Sequence, residues 1–200
     1  MENLCKIAII RAEDTSALKN FKCGIQSMDD FIHDEYNGLA KFIKLRLSNL
    51  WLVYENNIVV AFFALSKDAL MLNNDDRQAI EHNRMLASPE DSDMFWDKEK
   101  YPAIEIDYLA VSEEKREKAN NHLGTIIINE IAKQALRDEF SATLFLTVEA
   151  LDTKEYSAVD FYRSCDFEFS EVAINQYNYK MVYGNQPSTR RMYKILFPEV

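Results

Sequence analysis

Apolar positions recur along this chain with two periods, near every second residue and near every third or fourth, and the switches between them mark the elements. Leu4–Arg11 reads as a strand and Ala12–Lys19 as a loop or short helix. A helix begins at Ser27, whose spacing to Asp30 resembles a capping box with Asp in the place of Glu. Met28, Phe31, Ile32, Leu39 and Ala40 continue it as one apolar stripe. Two strands follow, Asn49–Glu55 and Ile58–Ser66, joined by Asn56-Asn57, residues that tolerate the positive φ of a tight hairpin turn. Residues 72–100 are polar and acidic, with a helix over Asp75–Met85, and read as an elaboration on the surface.

Beyond Pro102 the alternation is strict. Ile104, Ile106, Tyr108 and Ala110 fall on one face of a strand over Ala103–Val111, and Glu105, Asp107, Leu109 and Val111 on the other. A polar loop leads to a helix from about His122 to Asp138. Then come a strand over Ala142–Glu149, a helix over Lys154–Cys165 and strands over Phe167–Val172 and Arg190–Phe197. The order predicts an α/β fold with a mixed sheet, antiparallel at the hairpins and parallel across the central strand–helix–strand section. With four Gly, four Pro and no linker-like stretch, residues 1–200 read as one domain.

Composition narrows the classes. A hydrophobic fraction of 48% excludes a mainly disordered chain. The longest apolar run, Ile58–Leu65, is far short of the roughly 18 residues of a membrane span. Ile7–Ile10 stops at Arg11, so no secretory segment is expected. Cys5, Cys23 and Cys165 form neither a disulfide framework nor a zinc pattern, which points to the cytoplasm. The net charge is −10; residues 1–100 carry 12 basic and 17 acidic groups, residues 101–200 carry 11 and 16. Each half is therefore −5, with no run of basic residues, and nucleic acid is not expected as a partner.

Candidate chemistry lies between Ala103 and Asp138. A helix start presents amide donors and a positive dipole end to a pyrophosphate. Loops of this kind are usually Gly-rich; this one holds Gly124, with Asn120 and Asn121 able to take left-handed conformations. An ordinary helix start capped by Asn120 or Asn121 accounts for the same residues. Glu105 and Asp107 share a strand face, so mutual repulsion can raise one of them toward a general base; a solvated pair is the plainer alternative. Glu149 is a further carboxylate candidate. His33, His82 and His122 share no metal-ligand spacing, so no metal is expected. Cys165 reads as a plain buried thiol.

Five segments, in order, resemble the GCN5-related N-acetyltransferase (GNAT) family, and more closely its toxin-like acetyltransferases. These are FKCGIQSMDDFI (Phe21–Ile32), VVAFFALSKDAL (Val59–Leu70), YPAIEIDYLAVS (Tyr101–Ser112), AVDFYRSCDFEF (Ala158–Phe169) and TRRMYKIL (Thr189–Leu196). Two departures stand out. The loop KREKANNHLGTI (Lys115–Ile126) is about three residues longer than the family pattern and keeps only Gly124. Asp166 stands where the family has Gly before Phe.

The resemblance implies a single acyl-CoA N-acyltransferase domain with a mainly antiparallel sheet, splayed at a cofactor cleft. It also implies acetyl-CoA as co-substrate. The backbone of Leu109, Ala110 and Val111 would meet the pantetheine arm, amides of Leu123, Gly124, Thr125 and Ile126 would take the pyrophosphate, and Tyr162 would be the proton donor to the leaving thiolate. A core aromatic is the alternative for Tyr162.

The resulting expectation is acetyl transfer to a primary amine, on a small molecule or peptide, by direct attack. Two alternatives stay open: a degenerate relative acting through binding, and a toxin acetylating aminoacyl-tRNA. Neither a homodimer nor an antitoxin partner is readable from the sequence.

Overall fold

Asn56 and Asn57 sit at φ 51° and 65°, the left-handed values a two-residue hairpin turn demands. The computed structural model describes residues 7–83, 93, 97–116, 122–184 and 188–196. Its strands are β1 (Ile7–Ala12), β2 (Asn49–Glu55), β3 (Ile58–Met71), β4 (Lys100–Val111), β5 (Phe145–Leu151) and β6 (Thr189–Ile195), neighbours in chain order in one six-stranded sheet. The pairs β1–β2, β2–β3 and β5–β6 are antiparallel, so the expected mainly antiparallel α/β class is observed. The helices are α1 (Gln26–His33), α2 (Leu39–Lys44), α3 (Asn74–Asn83), α4 (Glu113–Arg116), α5 (Leu123–Leu136), α6 (Val159–Ser164) and α7 (Glu171–Tyr183). The chain divides into two compact units: residues to Ser66 with Ile106–Ile131, and Lys67–Glu105 with residues from Ala132 onward. No helix among the described residues is long and apolar enough to cross a membrane.

In the first unit Leu18, Phe21, Ile32, Leu39, Leu50, Phe62 and Ala110 make the core, with Phe21 edge-on to Phe62 at 5.4 Å. The apolar stripe expected as one helix is broken into α1 and α2. Gly38 permits the break, because a Cβ there would lie 2.2 Å from the Phe31 carbonyl oxygen and 2.4 Å from that of Asp34. The expected capping box does not form either. Ile25 is the N-cap and offers no side-chain bond; instead the Asp29 carboxylate accepts the amides of Cys23 (2.8 Å) and Gly24 (3.0 Å).

In the second unit Leu70, Leu72, Ile80, Tyr101, Ala103, Phe145, Tyr193 and Ile195 pack together. α3, expected as a surface elaboration, contributes Ile80 to this core. It also contributes Asp76, a buried carboxylate that accepts the amides of Asn73 (3.1 Å) and Glu171 (2.6 Å). The expected strand over Phe167–Val172 shrinks to a single bridge, Glu168 with Tyr193. Ser170 then caps α7, its hydroxyl oxygen accepting the Ala173 amide at 3.0 Å. α6 is shorter than the expected helix over Lys154–Cys165. Along β4 burial moves from Tyr101 and Ala103 to Ile106 and Ala110, so the expected alternation holds only for the later part. Expectations for Leu4, Cys5, Met85, Asn120, Asn121 and Phe197 fall outside the described residues.

Candidate functional site

The first unit carries the end of β4 and the start of α5. Ala110 is buried in the core, while Leu109 and Val111 are half-buried. The Ser112 amide donates to the Val60 carbonyl (2.8 Å), and the Glu113 amide to that of Lys22 (3.0 Å). Part of the long loop is therefore the short helix α4, seated against the Phe21–Ile25 segment. Gly24, at φ 75°, makes that approach: a Cβ there would lie 2.8 Å from Glu113 Oε1 and 3.0 Å from Arg116 Nη2. Lys115 of α4 is paired with Glu55.

α5 begins at Leu123, and the Ile126 amide donates to the His122 carbonyl at 2.9 Å. Gly124 and Thr125 are half-buried and Ile126 is exposed. Gly124 has helical backbone, not the left-handed conformation that Gly-rich phosphate loops use. Its value at this position is lack of bulk, not freedom of φ.

Asp107 is held by two hydroxyls, Ser48 Oγ at 2.6 Å and Ser66 Oγ at 2.9 Å, and so ties the residue before β2 to β3 and β4. Beside it in the sequence Tyr108 stacks on Phe31 (4.5 Å between ring centres), and Phe42 meets both rings edge-on at 5.7 and 5.9 Å. Sequence reasoning placed Phe31 only on a core stripe; the trio forms because α1, α2 and β4 converge, which no local spacing reveals.

Glu105 and Tyr162 belong to the second unit. Glu105 is half-buried on β4. Tyr162 is buried on α6, edge-on to Phe161 (5.0 Å) and Phe167 (5.2 Å). Burial, with smaller contributions from Tyr156 and Cys165, pushes its phenol far above the usual range, so it keeps its proton at neutral pH. Asp166 takes φ 65°. It thus preserves the left-handed turn for which the family pattern has Gly, while Lys194 Nζ donates to the Cys165 carbonyl (2.8 Å) and Asp166 Oδ2 (3.1 Å). Glu149 accepts the Thr189 hydroxyl (3.0 Å) and lies 3.6 Å from Arg191. Arg191 also pairs with Asp68 (2.5 Å), which accepts the buried Thr147 hydroxyl.

His33 Nε2 lies 2.9 Å from the Phe21 carbonyl oxygen, a structural contact. Among the described residues no group of His, Cys, Asp or Glu is placed to hold a metal. Cys23 is buried, and burial pushes its thiol up to about 11.

No protein-family model matches the sequence, and no curated protein matches it. Solved structures do. The chain is similar to the toxin AtaT complexed with acetyl-methionyl-tRNAfMet (TM-score 0.58, 16% identity, 95% of each chain). It is likewise similar to AtaTR bound with acetyl-CoA (TM-score 0.57, 16% identity, 95% of this chain and 94% of that one). A tyrosine-to-phenylalanine mutant of KacT gives a TM-score of 0.57 at 13% identity over 96% and 95%. The chain has the GNAT fold of these toxins.

That fold corrects one expectation. AtaT binds tRNA in one structure, and in another the AtaT–AtaR complex is bound to DNA, so the architecture does not exclude nucleic acid. Counting charge by halves was too coarse. Residues 36–54 and 172–198 hold seven of the 23 Lys and Arg and none of the 33 Asp and Glu.

Proposed function

We propose that the protein is an acetyl-CoA-dependent N-acetyltransferase whose acceptor is the amino group of an aminoacyl-tRNA. The observation that carries this reading is the likeness, over 95% of the chain, to a toxin caught with acetyl-methionyl-tRNAfMet. It displaces the small-molecule or peptide amine as first choice. In this reading residues 1–200 are a single N-acetyltransferase-like domain, with residues around 72–100 as an insertion.

The residues fit acetyl-CoA as follows. Extended backbone at Leu109, Ala110 and Val111 offers strand-like hydrogen bonding to an amide-bearing arm. The first turn of the 14-residue helix α5, with Leu123, Gly124, Thr125 and Ile126, supports a pyrophosphate through its amides and dipole. Attack by the amine forms a C–N bond at the thioester carbonyl and breaks the C–S bond. Tyr162 supplies a proton to the departing sulfur; its neutral phenol suits a donor. Glu105 takes the ammonium proton. Asp107, whose two oxygens accept serine hydroxyls, is the other base candidate. A tyrosine-to-phenylalanine change in both AtaT and KacT structures supports giving the tyrosine this part.

The test is transfer of labelled acetyl groups from acetyl-CoA to a charged tRNA pool. Label on the aminoacyl ends is the expected result. Label confined to small amines restores the small-amine reading. Absence of any thermal shift at millimolar acetyl-CoA favours a binding-only relative.

A further inference from the structure

Within the second unit, Arg190 lies over two rings, its guanidinium carbon 4.0 Å from the centre of Phe169 and 4.7 Å from that of Tyr177. The three line a shallow, open pocket of about 40 Å³, together with Lys180, Thr189 and Glu149. The neighbouring cations are engaged: Arg191 with Asp68 and Glu149, Lys194 with Asp166, Arg163 with Asp160. Among the described residues no carboxylate pairs with Arg190 or Lys180. Ring stacking occupies the faces of a guanidinium and leaves its N–H edge, the part that grips a phosphate in a bidentate manner.

The surrounding sequence sharpens the point. Residues 172–198 contain Lys180, Arg190, Arg191 and Lys194, the tyrosines Tyr177, Tyr179, Tyr183 and Tyr193, and no Asp or Glu, in a chain of net charge −10. Tyr179 and Tyr183 are exposed on α7, ring against ring at 4.8 Å. A polyanion approaching a strongly acidic protein is repelled except where cations are concentrated. Aromatic rings interleaved with such cations suit nucleotides, whose bases stack while their phosphates pair.

We propose that this pocket binds a backbone phosphate of the RNA acceptor, with Arg190 as anchor and Lys180 as second cation. This rests on the aminoacyl-tRNA reading above and adds where the RNA is held.

The test measures the affinity of the full chain for labelled, uncharged tRNA across a salt series. Arg190→Gln is expected to weaken binding on the order of 10-fold and to lower the slope of log affinity against log salt by about 1. Arg190→Lys retains the slope but loses several-fold in affinity, because the charge stays while the fork goes. Lys67→Gln, outside the pocket, changes affinity less than about twofold. In acetylation assays Arg190→Gln raises KM for tRNA and leaves kcat unchanged, and an unchanged acetyl-CoA thermal shift certifies its fold. Wild-type affinity and slope in Arg190→Gln overturn the site while leaving the acetyltransferase reading standing. Absence of any tRNA binding by the wild-type protein at low salt overturns both. Stabilisation by millimolar inorganic phosphate that depends on Arg190, with tRNA affinity indifferent to it, makes this a small-anion site and overturns the proposal.

Discussion

The two units are pinned over different distances along the chain. In the first, short-range pins stand beside reaches of moderate length. Asn56-Asn57 close the hairpin, Asp29 holds amides five and six residues before it, and Gly38 lets the chain fold back on Phe31 and Asp34. Ser66 and Ser48 donate to Asp107 across 41 and 59 residues. In the second, polar groups reach far. Lys67 donates to Ser141, Thr147 to Asp68, Arg191 to Asp68, and the Glu171 amide to Asp76, across 74 to 123 residues. Local constraints are readable in a sequence; distant ones are not. The hairpin matches its prediction, whereas the strand expected over Phe167–Val172 gives way to a bridge and the start of α7.

The contrast breaks if short-range pins prove weak. Gly38→Ala drives a methyl group into two backbone carbonyls that cannot swing away, and is expected to cost about 3 kcal/mol in urea unfolding. A loss below about 1 kcal/mol would show that the α1–α2 turn is soft.

Next in size is Cys23. Its thiol is raised from 9.0 to about 11, so alkylation of the folded protein at pH 8 should run about 100-fold slower than in the unfolded chain. A raised acid favours the neutral form in the fold. Its contribution to stability is therefore complete below about pH 9 and lost as pH climbs from 9 to 11. Fast labelling by maleimide would mean that the Phe21–Ile25 segment opens readily.

On the long-range side, Asp76→Ala removes a buried acceptor from two amides and is expected to cost about 2 kcal/mol. Exchange of the first amides of α7 should quicken with it. An unchanged exchange pattern would mean that α7 does not depend on α3.

The smallest effect belongs to Asp166→Gly. Relief of the left-handed strain opposes the loss of an ion pair with Lys194, whose carboxylate side is exposed, and the added freedom of the unfolded chain. The net change should stay within about 0.5 kcal/mol. A large loss would give the Lys194 pair a weight that the exposed Asp166 carboxylate does not suggest.

The candidate site divides the same way. Leu109–Val111, Leu123–Ile126 and Tyr162 stand out by strand alternation, a helix start and a motif, all visible in one dimension. Not visible were the serines on Asp107, 59 and 41 residues away, or the ring stack of Phe31 and Tyr108, or Arg190 over Phe169 and Tyr177. Each joins residues that share no period. The cations of 172–198 were legible all along, in a window shorter than the halves over which charge was summed.

The sequence by itself determined the hairpin and the order of most strands and helices, because alternation, turn residues and helical spacing act over a few residues. It also carried Asp166 into a left-handed turn, since Asp tolerates positive φ where most side chains do not. Only the tertiary structure decided which polar groups are already engaged. It put hydroxyls on Asp107 and arginine on Glu149, buried the Tyr162 phenol, and set Arg190 over two rings with no carboxylate paired to it among the described residues. The reason is physical: whether a charge is neutralised or buried depends on what stands within a few ångströms, and the chain brings those partners from far along its length.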